Sequence, residues 1–301
     1  MAAPPARLAV VGLAGRVLHY AEVETGPLPR LRRLGSCDFE ADAEAAVFAD
    51  GASGGGDADA LEALCDALAE VFAGIAPHHL VVAAHPTATT GFFTPLPSGL
   101  APAARDEQLR QEAALLSDVP PTQPVRVHAA PVRAEADPAL GGDRTWYHVV
   151  HVAEPVHARL ALMAQATGAD GYDLTDTGRA AATLVGTPPG TTLVVGLYPA
   201  HTEVAVVVGG ALAFGYHGAG HTPEDTAYYA LAAADRVGAT QADIARVSVY
   251  GDAHPARTRL LSEMTGRAAE PLDPFAPFGR RLDVDPATAA AFAPVLGAAL
   301  R

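Results

Sequence analysis

Hydrophobic positions along the chain fall into short β-like runs separated by helical stripes. Residues 7–23 form an apolar, β-rich run broken by Gly12 and Gly15. A polar stretch with Pro and Gly follows, and 51–56 (GASGGG) reads as a flexible loop. Over 57–72, Leu61, Leu64, Cys65, Leu68 and Phe72 have the spacing of one helical face. The run 80–84 (LVVAA) predicts a buried strand, 95–102 a loop, and 105–116 (RDEQLRQEAALL) a helix ended by VPP. Residues 146–153 (WYHVVHVA) predict a strand leading through Pro155 into a helix over 156–167.

The second half uses the same grammar. The strand 191–195 runs into Gly196 and a bend, then returns as 202–208; Gly209 and Gly210 turn the chain into a third strand, 211–216. Such apolar strands suit a sheet covered on both faces. Thr222, Pro223, Glu224 and Asp225 make a strong helix start for 224–237, with a capping hydroxyl, proline and first-turn acids. A strand over 246–250, a loop at 251–253 and a helix over 255–265 follow. The proline-rich stretch 271–278 predicts an extended strap before a final helix over 286–300. AVVGLAG at 9–15 and VVGLYP at 194–199 occupy matching places in the two halves. A duplicated α/β domain with helices packed on mixed sheets explains this order most simply.

Composition narrows the chemistry. The chain has 301 residues, half of them hydrophobic, enough to bury a sizeable core. Its 20 basic residues are all arginine, and 34 acids leave a net charge of −14. Without lysine there is no Walker-type loop, Schiff-base amine, kinase-type lysine or Ser–Lys nucleophile. GC-rich coding accounts for the missing lysine and asparagine. The negative charge argues against nucleic acid or an anionic membrane surface, since the one short basic stripe is Arg30, Arg32 and Arg33. Cys37 and Cys65 have no metal spacing, and no window approaches the roughly 18 uninterrupted apolar residues of a spanning helix. The expectation is a cytoplasmic protein with no direct membrane insertion.

Several segments together resemble the actin-like ATPase superfamily and, within it, the PilM family of pilus-assembly proteins. LVVAAHPTATTGFFTPLP with RDEQLRQEAALLSDVP, and HVVHVAEPVHARLALMAQATGADGYDL with Asp173, look like two of the family's strand–helix passages. TTLVVGLYPAHTEVAVVVGGALAFGYHGAG resembles its second phosphate hairpin, and RVSVYGDAHPARTRLLSEMTGRAAEPLDPF its adenosine loop and strap. The closing PVLGAALR resembles its ending. The helix PEDTAYYAL at 223–231 is also similar to an uncharacterised actin-fold family of Bacteroidetes. The resemblance implies an α/β fold of two duplicated, ribonuclease H-like domains with mixed five-stranded sheets. The first lobe would span 1–175, with a small inserted subdomain at about 92–170, and the second 176–301.

The resemblance also implies D-x-G at each phosphate hairpin, where the aspartates order Mg²⁺ and water. This chain has Gly12 and Gly196 at those places, and Tyr198 where the family has glycine. Gly251 is followed by Asp252 where a second glycine is expected. Mg²⁺ needs oxygen ligands, and phosphoryl transfer depends on positioning and charge. The expectation is therefore a pseudo-ATPase with no catalytic residues, no metal and no cofactor. If a nucleotide binds, Gly12, Gly196, Gly218, Gly220 and Gly251 are the candidate contacts. An ATP-binding PilM-like protein with atypical phosphate loops is the alternative, recruiting carboxylates such as Glu22, Glu203 or Asp252.

Other candidates point more weakly to chemistry. His148 and His151 fall on opposite faces of one strand, His78 and His79 precede another, and His157 lies beyond; all read as solvated or satisfied. The acids Asp170, Asp173 and Asp176 lack the EF-hand pattern and read as a turn and helix start. Gly209, Gly210, Gly218 and Gly220 suit turns as well as phosphate. Phe92 and Phe93 are placed on a loop beside the small subdomain, where the resemblance implies a groove for a peptide from a membrane-bound partner. The reading is a scaffold that binds other proteins in envelope or pilus-type assembly, with a homodimer left open.

Overall fold

The computed structural model describes residues 6–49, 56–75, 77–116, 124–137, 142–220, 222–252, 254–279 and 284–300. Positions 51–55 of the expected loop, and Ala253, lie outside them. The chain divides into two compact units, Met1–Gly26 with Leu31–Asp176, and Pro27–Arg30 with Thr177–Arg301. Among the described residues no helix is long and apolar enough to cross a membrane.

The first unit carries β1 (Arg7–Ala14), β2 (Val17–Glu24), β3 (Arg30–Asp38), α1 (Ala43–Phe48), α2 (Gly56–Val71) and β4 (His79–Ala84). Next come β5 (Thr90–Pro97), α3 (Pro102–Leu116), β6 (Val125–Asp137), β7 (Gly142–Ala153), α4 (Glu154–Thr167) and β8 (Tyr172–Asp176). A five-stranded sheet has the order β3-β2-β1-β4-β8, with β1 antiparallel to β2 and parallel to β4. Because side chains alternate across a strand, Ala9, Val11 and Leu13 share one face with Leu80, Val82 and Ala84 of the neighbouring strand. Leu64, Leu68 and Phe72 of the α2 segment and Val156, Leu160 and Met163 of α4 complete that core. Gly12 does not break the run; it lies inside β1, and the bend comes at Gly15, whose φ is +56°.

A second, three-stranded antiparallel sheet has the order β5-β7-β6. Helix α3 covers it through Leu109, which packs with Leu96 and Val149. The expected loop at 95–102 is largely strand: β5 runs to Pro97, with Thr94 and Leu96 buried. Pro95 and Pro97 survive because β5 is an edge strand, where a missing N–H costs no ladder bond. Residues 172–176 are likewise a strand paired with β4, and the helix begins only after Asp176.

The second unit opens with α5 (Thr177–Ala182), followed by β9 (Thr191–Leu197), β10 (His201–Val208), β11 (Ala211–Ala219), α6 (Pro223–Arg236) and β12 (Ile244–Gly251). It ends with α7 (Pro255–Thr265), β13 (Ala269–Pro271), α8 (Pro286–Ala290) and α9 (Ala293–Ala298). The sheet order, β11-β10-β9-β12-β13, repeats the first: an antiparallel hairpin at β9–β10, then parallel β9, β12 and β13. Gly209 and Gly210, with φ of +58° and +84°, form the β10–β11 turn, so their role there is conformational. The strap expected at 271–278 leaves β13, bonds Leu272 N–H to the Val249 carbonyl, and coils into a 3₁₀ turn at Ala276–Phe278. The expected helix over 286–300 is split into α8 and α9, with Pro294 in the first turn of the second, a position proline tolerates.

One close approach locks this unit. A Cβ on Gly297 in α9 would fall on the Ala180 carbonyl oxygen of α5, and the Gly297 carbonyl accepts from Thr183 Oγ1 at 2.9 Å. Gly297→Val is expected to destabilise the chain by about 1–3 kcal/mol or more, because backbone is the obstacle and cannot yield as a side chain does. A urea unfolding midpoint equal to that of the native sequence would refute this packing.

Candidate functional site: two glycine hairpins filled from within

The two glycines in the expected aspartate places are both buried inside strands. Gly196 of β9 is paired with Glu203 of β10 on one side and with Tyr250 of β12 on the other. Directly opposed residues share a face of the sheet, so both side chains stand over the bare glycine. A Cβ at 196 would lie 2.7 Å from the Tyr250 phenol oxygen. No side chain, aspartate included, fits there while that ring is in place.

Glu203 is 1% exposed, and its carboxylate has three close polar partners in the second unit. Oε2 accepts from Tyr250 Oη at 2.7 Å and from Thr177 Oγ1 at 2.6 Å, and Oε1 lies 3.0 Å from His201 Nε2. A carboxylate thus sits one strand away from position 196, held by three groups of the second unit. Such satisfaction is what permits a buried acid at all.

The turn after Gly196 is equally occupied. The Tyr198 ring stacks on His201, with centroids 4.7 Å apart and planes at 16°, and meets Tyr250 edge-on at 6.2 Å. Beneath it lies Arg257, 3% exposed, in the first turn of α7. A helix N-terminus disfavours a cation, but here the guanidinium is held by other oxygens. Nη1 donates to the Tyr198 carbonyl at 2.8 Å, Nε to Thr226 Oγ1 at 2.8 Å and Nη2 to Thr202 Oγ1 at 2.7 Å. Burial pulls its pKa down, while the fields of Asp252 and Asp225 act in the opposite sense. The cation therefore braces the 198–201 turn from inside.

The remaining candidate glycines are packed in the same way. A Cβ on Gly218 would lie 2.5 Å from the Tyr229 ring, whose hydroxyl donates to the Ala219 carbonyl at 2.7 Å. Gly220, at φ +146°, admits the Asp225 carboxylate that caps α6 with Thr222. Gly251, at φ +80°, passes against the Leu197 carbonyl, which accepts from Asp252 N–H at 2.7 Å. Each glycine serves a contact within the second unit.

In the first unit Gly12 is flanked by His19 of β2 and Ala83 of β4. At the tip of this hairpin, Gly15 N–H donates to Glu44 Oε2 at 2.8 Å, and Glu44 N–H returns a bond to the Gly15 carbonyl at 3.0 Å. The amide at the hairpin tip is thus paired with a carboxylate of the same unit. Glu22 is not available to replace an aspartate at 12. It pairs with Ala9, on the opposite face from Gly12, and contacts Arg33 at 3.5 Å and Arg7 at 3.9 Å. Asp252 is exposed beyond β12. Of the three carboxylates weighed from sequence, Glu203 alone stands beside one of the two glycines.

Phe92 and Phe93 are not on a loop. They occupy β5 and face opposite sides of the small sheet, Phe92 opposite Val149 and Phe93 opposite His148. The Phe93 and His148 rings are 4.7 Å apart, and Phe92 meets His151 edge-on at 6.2 Å. His148 Nε2 lies 2.7 Å from Asp176 Oδ2, His79 Nε2 lies 2.9 Å from Asp173 Oδ2, and His157 Nδ1 bonds the Tyr172 hydroxyl at 2.6 Å. These histidines are tied into the packing of the first unit. The hairpin count from 196 round to 203 was available in the sequence once the turn length is known. The covers supplied by Tyr250, Arg257 and Glu44 were not, because they come from elements distant in the chain.

Two outcomes follow. Tyr250→Phe should lower stability by about 1–3 kcal/mol in urea unfolding, since it strips one donor from a buried carboxylate; an unchanged midpoint would contradict the network. Burial holds the His151 imidazole below its ordinary value of 6.5. The unfolded chain then binds the proton first, so stability falls as pH drops below about 6.5. His151→Leu should shrink that acid loss in melts between pH 7.5 and 5, and an unaltered pH profile would argue against it.

No protein-family model matches the sequence, and no curated protein does. Solved structures with a similar architecture include the following two. One is a chain of the PilM–PilN type IV pilus biogenesis complex, with TM-score 0.68 and 17% identity over 99% of this chain and 98% of that one. The other is a Bacteroides thetaiotaomicron protein with an actin-like ATPase fold, with TM-score 0.53 and 10% identity over 88% and 90% of the two chains. With its two five-stranded mixed sheets of matching order, this chain has the actin-like ATPase fold, in a form similar to PilM.

Proposed function

We propose that this chain is a non-catalytic, cytoplasmic actin-fold scaffold that binds partner proteins, in an envelope or pilus-type assembly. The observation that carries the reading is the Tyr250 ring lying on Gly196 and bonded to Glu203. It removes both the side-chain position from which an aspartate would order Mg²⁺ and the freedom of the nearest carboxylate. Glu44 on the Gly15 amide acts to the same end at the other hairpin. Phosphoryl transfer rests almost wholly on positioned charge, so hairpins occupied in this way favour a fold retained for its surfaces. The PilM–PilN complex, a fold relative seen with a protein partner, supports the assembly role. Under this reading a peptide from a membrane-bound protein is the partner of the first unit, with Phe92 and Phe93 shaping the small sheet rather than inserting from a loop.

A second reading is favoured by one observation. Glu203 stands directly across from Gly196, so a carboxylate is present beside the expected place though on the next strand. If Tyr250 moved aside, the chain would be an ATP-binding protein with atypical loops.

Thermal unfolding with ATP, ADP and Mg²⁺ separates the two. A ligand at 100 times its Kd stabilises the native state by about 2.7 kcal/mol. The scaffold reading predicts no shift at millimolar nucleotide. A rise of several degrees that Glu203→Gln abolishes would overturn it in favour of the second.

A further inference from the structure

The second unit bears an aromatic cluster that none of the hairpin contacts requires in full. Tyr216 on β11 and Tyr228 and Tyr229 on α6 lie together, with ring centroids 5.4 Å apart for Tyr216–Tyr229 and 5.7 Å for Tyr228–Tyr229. The planes are tilted by 49° and 61°, so the rings form a faceted shelf rather than a flat stack. Tyr229 is its fixed member, laid on Gly218 and pinned by its hydroxyl to the Ala219 carbonyl. The other two face outward: Tyr216 is 43% exposed and Tyr228 68% exposed. A single exposed aromatic is ordinary, but adjacent ones beside a rigid third are a prepared surface.

Two acids stand beside it on α6, and the His217 ring lies 6.5 Å from that of Tyr216. Glu224 and Asp225 occupy the first turn of α6, each four residues before a tyrosine and therefore on the same strip of helix. Asp225 is engaged in capping with Thr222, whereas Glu224 makes no ion pair among the described residues. No described arginine lies over any of the three rings; the two that stack on aromatics are Arg105 on Tyr147 and Arg133 on Trp146. Burial raises the Tyr229 phenol pKa first, and the nearby Asp225 carboxylate raises it further. Aromatic faces are themselves negative, so rings and acids attract the same kind of ligand, a cation. The chain's net charge of −14 favours the approach of a cationic partner.

We propose that the Tyr216–Tyr228–Tyr229 shelf, with Glu224 at its rim, is a docking site for a basic segment of a partner protein, seating a guanidinium or ammonium over the exposed rings. The site stands on the second unit alone and does not depend on whether the hairpins bind nucleotide. Neither an anionic nor a purely apolar segment matches it, since acids flank the rings and each ring carries a hydroxyl.

The test uses the full chain and a hexa-arginine peptide, with its citrulline counterpart as the neutral analogue, in calorimetric titrations at low and moderate salt. The arginine peptide is expected to bind and the citrulline peptide not. Tyr228→Ala and Tyr216→Ala should each weaken binding about two- to fivefold, the range of an exposed cation–π contact, while Tyr228→Phe keeps it. Glu224→Gln should weaken binding and flatten its salt dependence, whereas Glu62→Gln on α2 should do neither. Melting curves of the exposed-tyrosine variants check that the fold is unchanged. Binding that ignores Tyr216 and Tyr228, or that follows Glu62 as much as Glu224, would mean diffuse charge attraction and overturn the proposal. So would self-association of the free chain, in sedimentation velocity, that Tyr228→Ala abolishes, because the occupant would then be a second copy.

Discussion

A tyrosine laid flat on a glycine sets the terms for the second unit. Tyr250 can rest on Gly196 only because position 196 has no side chain, and its hydroxyl there donates to a buried carboxylate. Glu203 is almost wholly buried, and an unsatisfied carboxylate at that depth would cost several kcal/mol. Glycine, tyrosine and glutamate are therefore interdependent across three neighbouring strands. Thr177 and His201 tie the same carboxylate to α5 and to the hairpin turn, and Arg257 braces that turn from below. The centre of the sheet is closed by its own residues.

The two sheets show how one topology can be closed in different ways. Both place a glycine at the same point of the first hairpin strand, flanked by an antiparallel and a parallel neighbour. In the second unit the flanking positions hold Glu203 and Tyr250, which fill the space. In the first they hold His19 and Ala83, and the closing group comes instead from Glu44 at the hairpin tip. The molecule's other features are an aromatic cluster on the second unit and, in the first, a small antiparallel sheet with its own helix.

Much of the fold was legible from residue patterns. The repeat of strand, glycine, bend and return strand marked both hairpins, and proline with flanking polar residues bounded α7 at its observed ends. What escaped was strand of low apolar content. β3 (RLRRLGSCD) lies at a sheet edge and exposes its arginines, so it lacks a buried run. β6 contains Pro131 and a register shift at the other kind of edge, and β8 hides its strand character behind two aspartates. Phe92 and Phe93 read as loop from sequence, between TATTG and the prolines of TPLP, although an edge strand accepts prolines. The candidate glycines were identifiable, but what covers them was not. Strand register, not local sequence, brings Tyr250 to Gly196.

The most direct trial of this account is a crystal structure of the full chain grown with Mg²⁺ and a non-hydrolysable ATP analogue. The account predicts Tyr250 on Gly196, its hydroxyl on the Glu203 carboxylate, and no phosphate at the Leu197–Tyr198 backbone. A triphosphate seated on that turn, with the Tyr250 ring swung clear of Gly196 and Glu203 facing a metal ion, would contradict it.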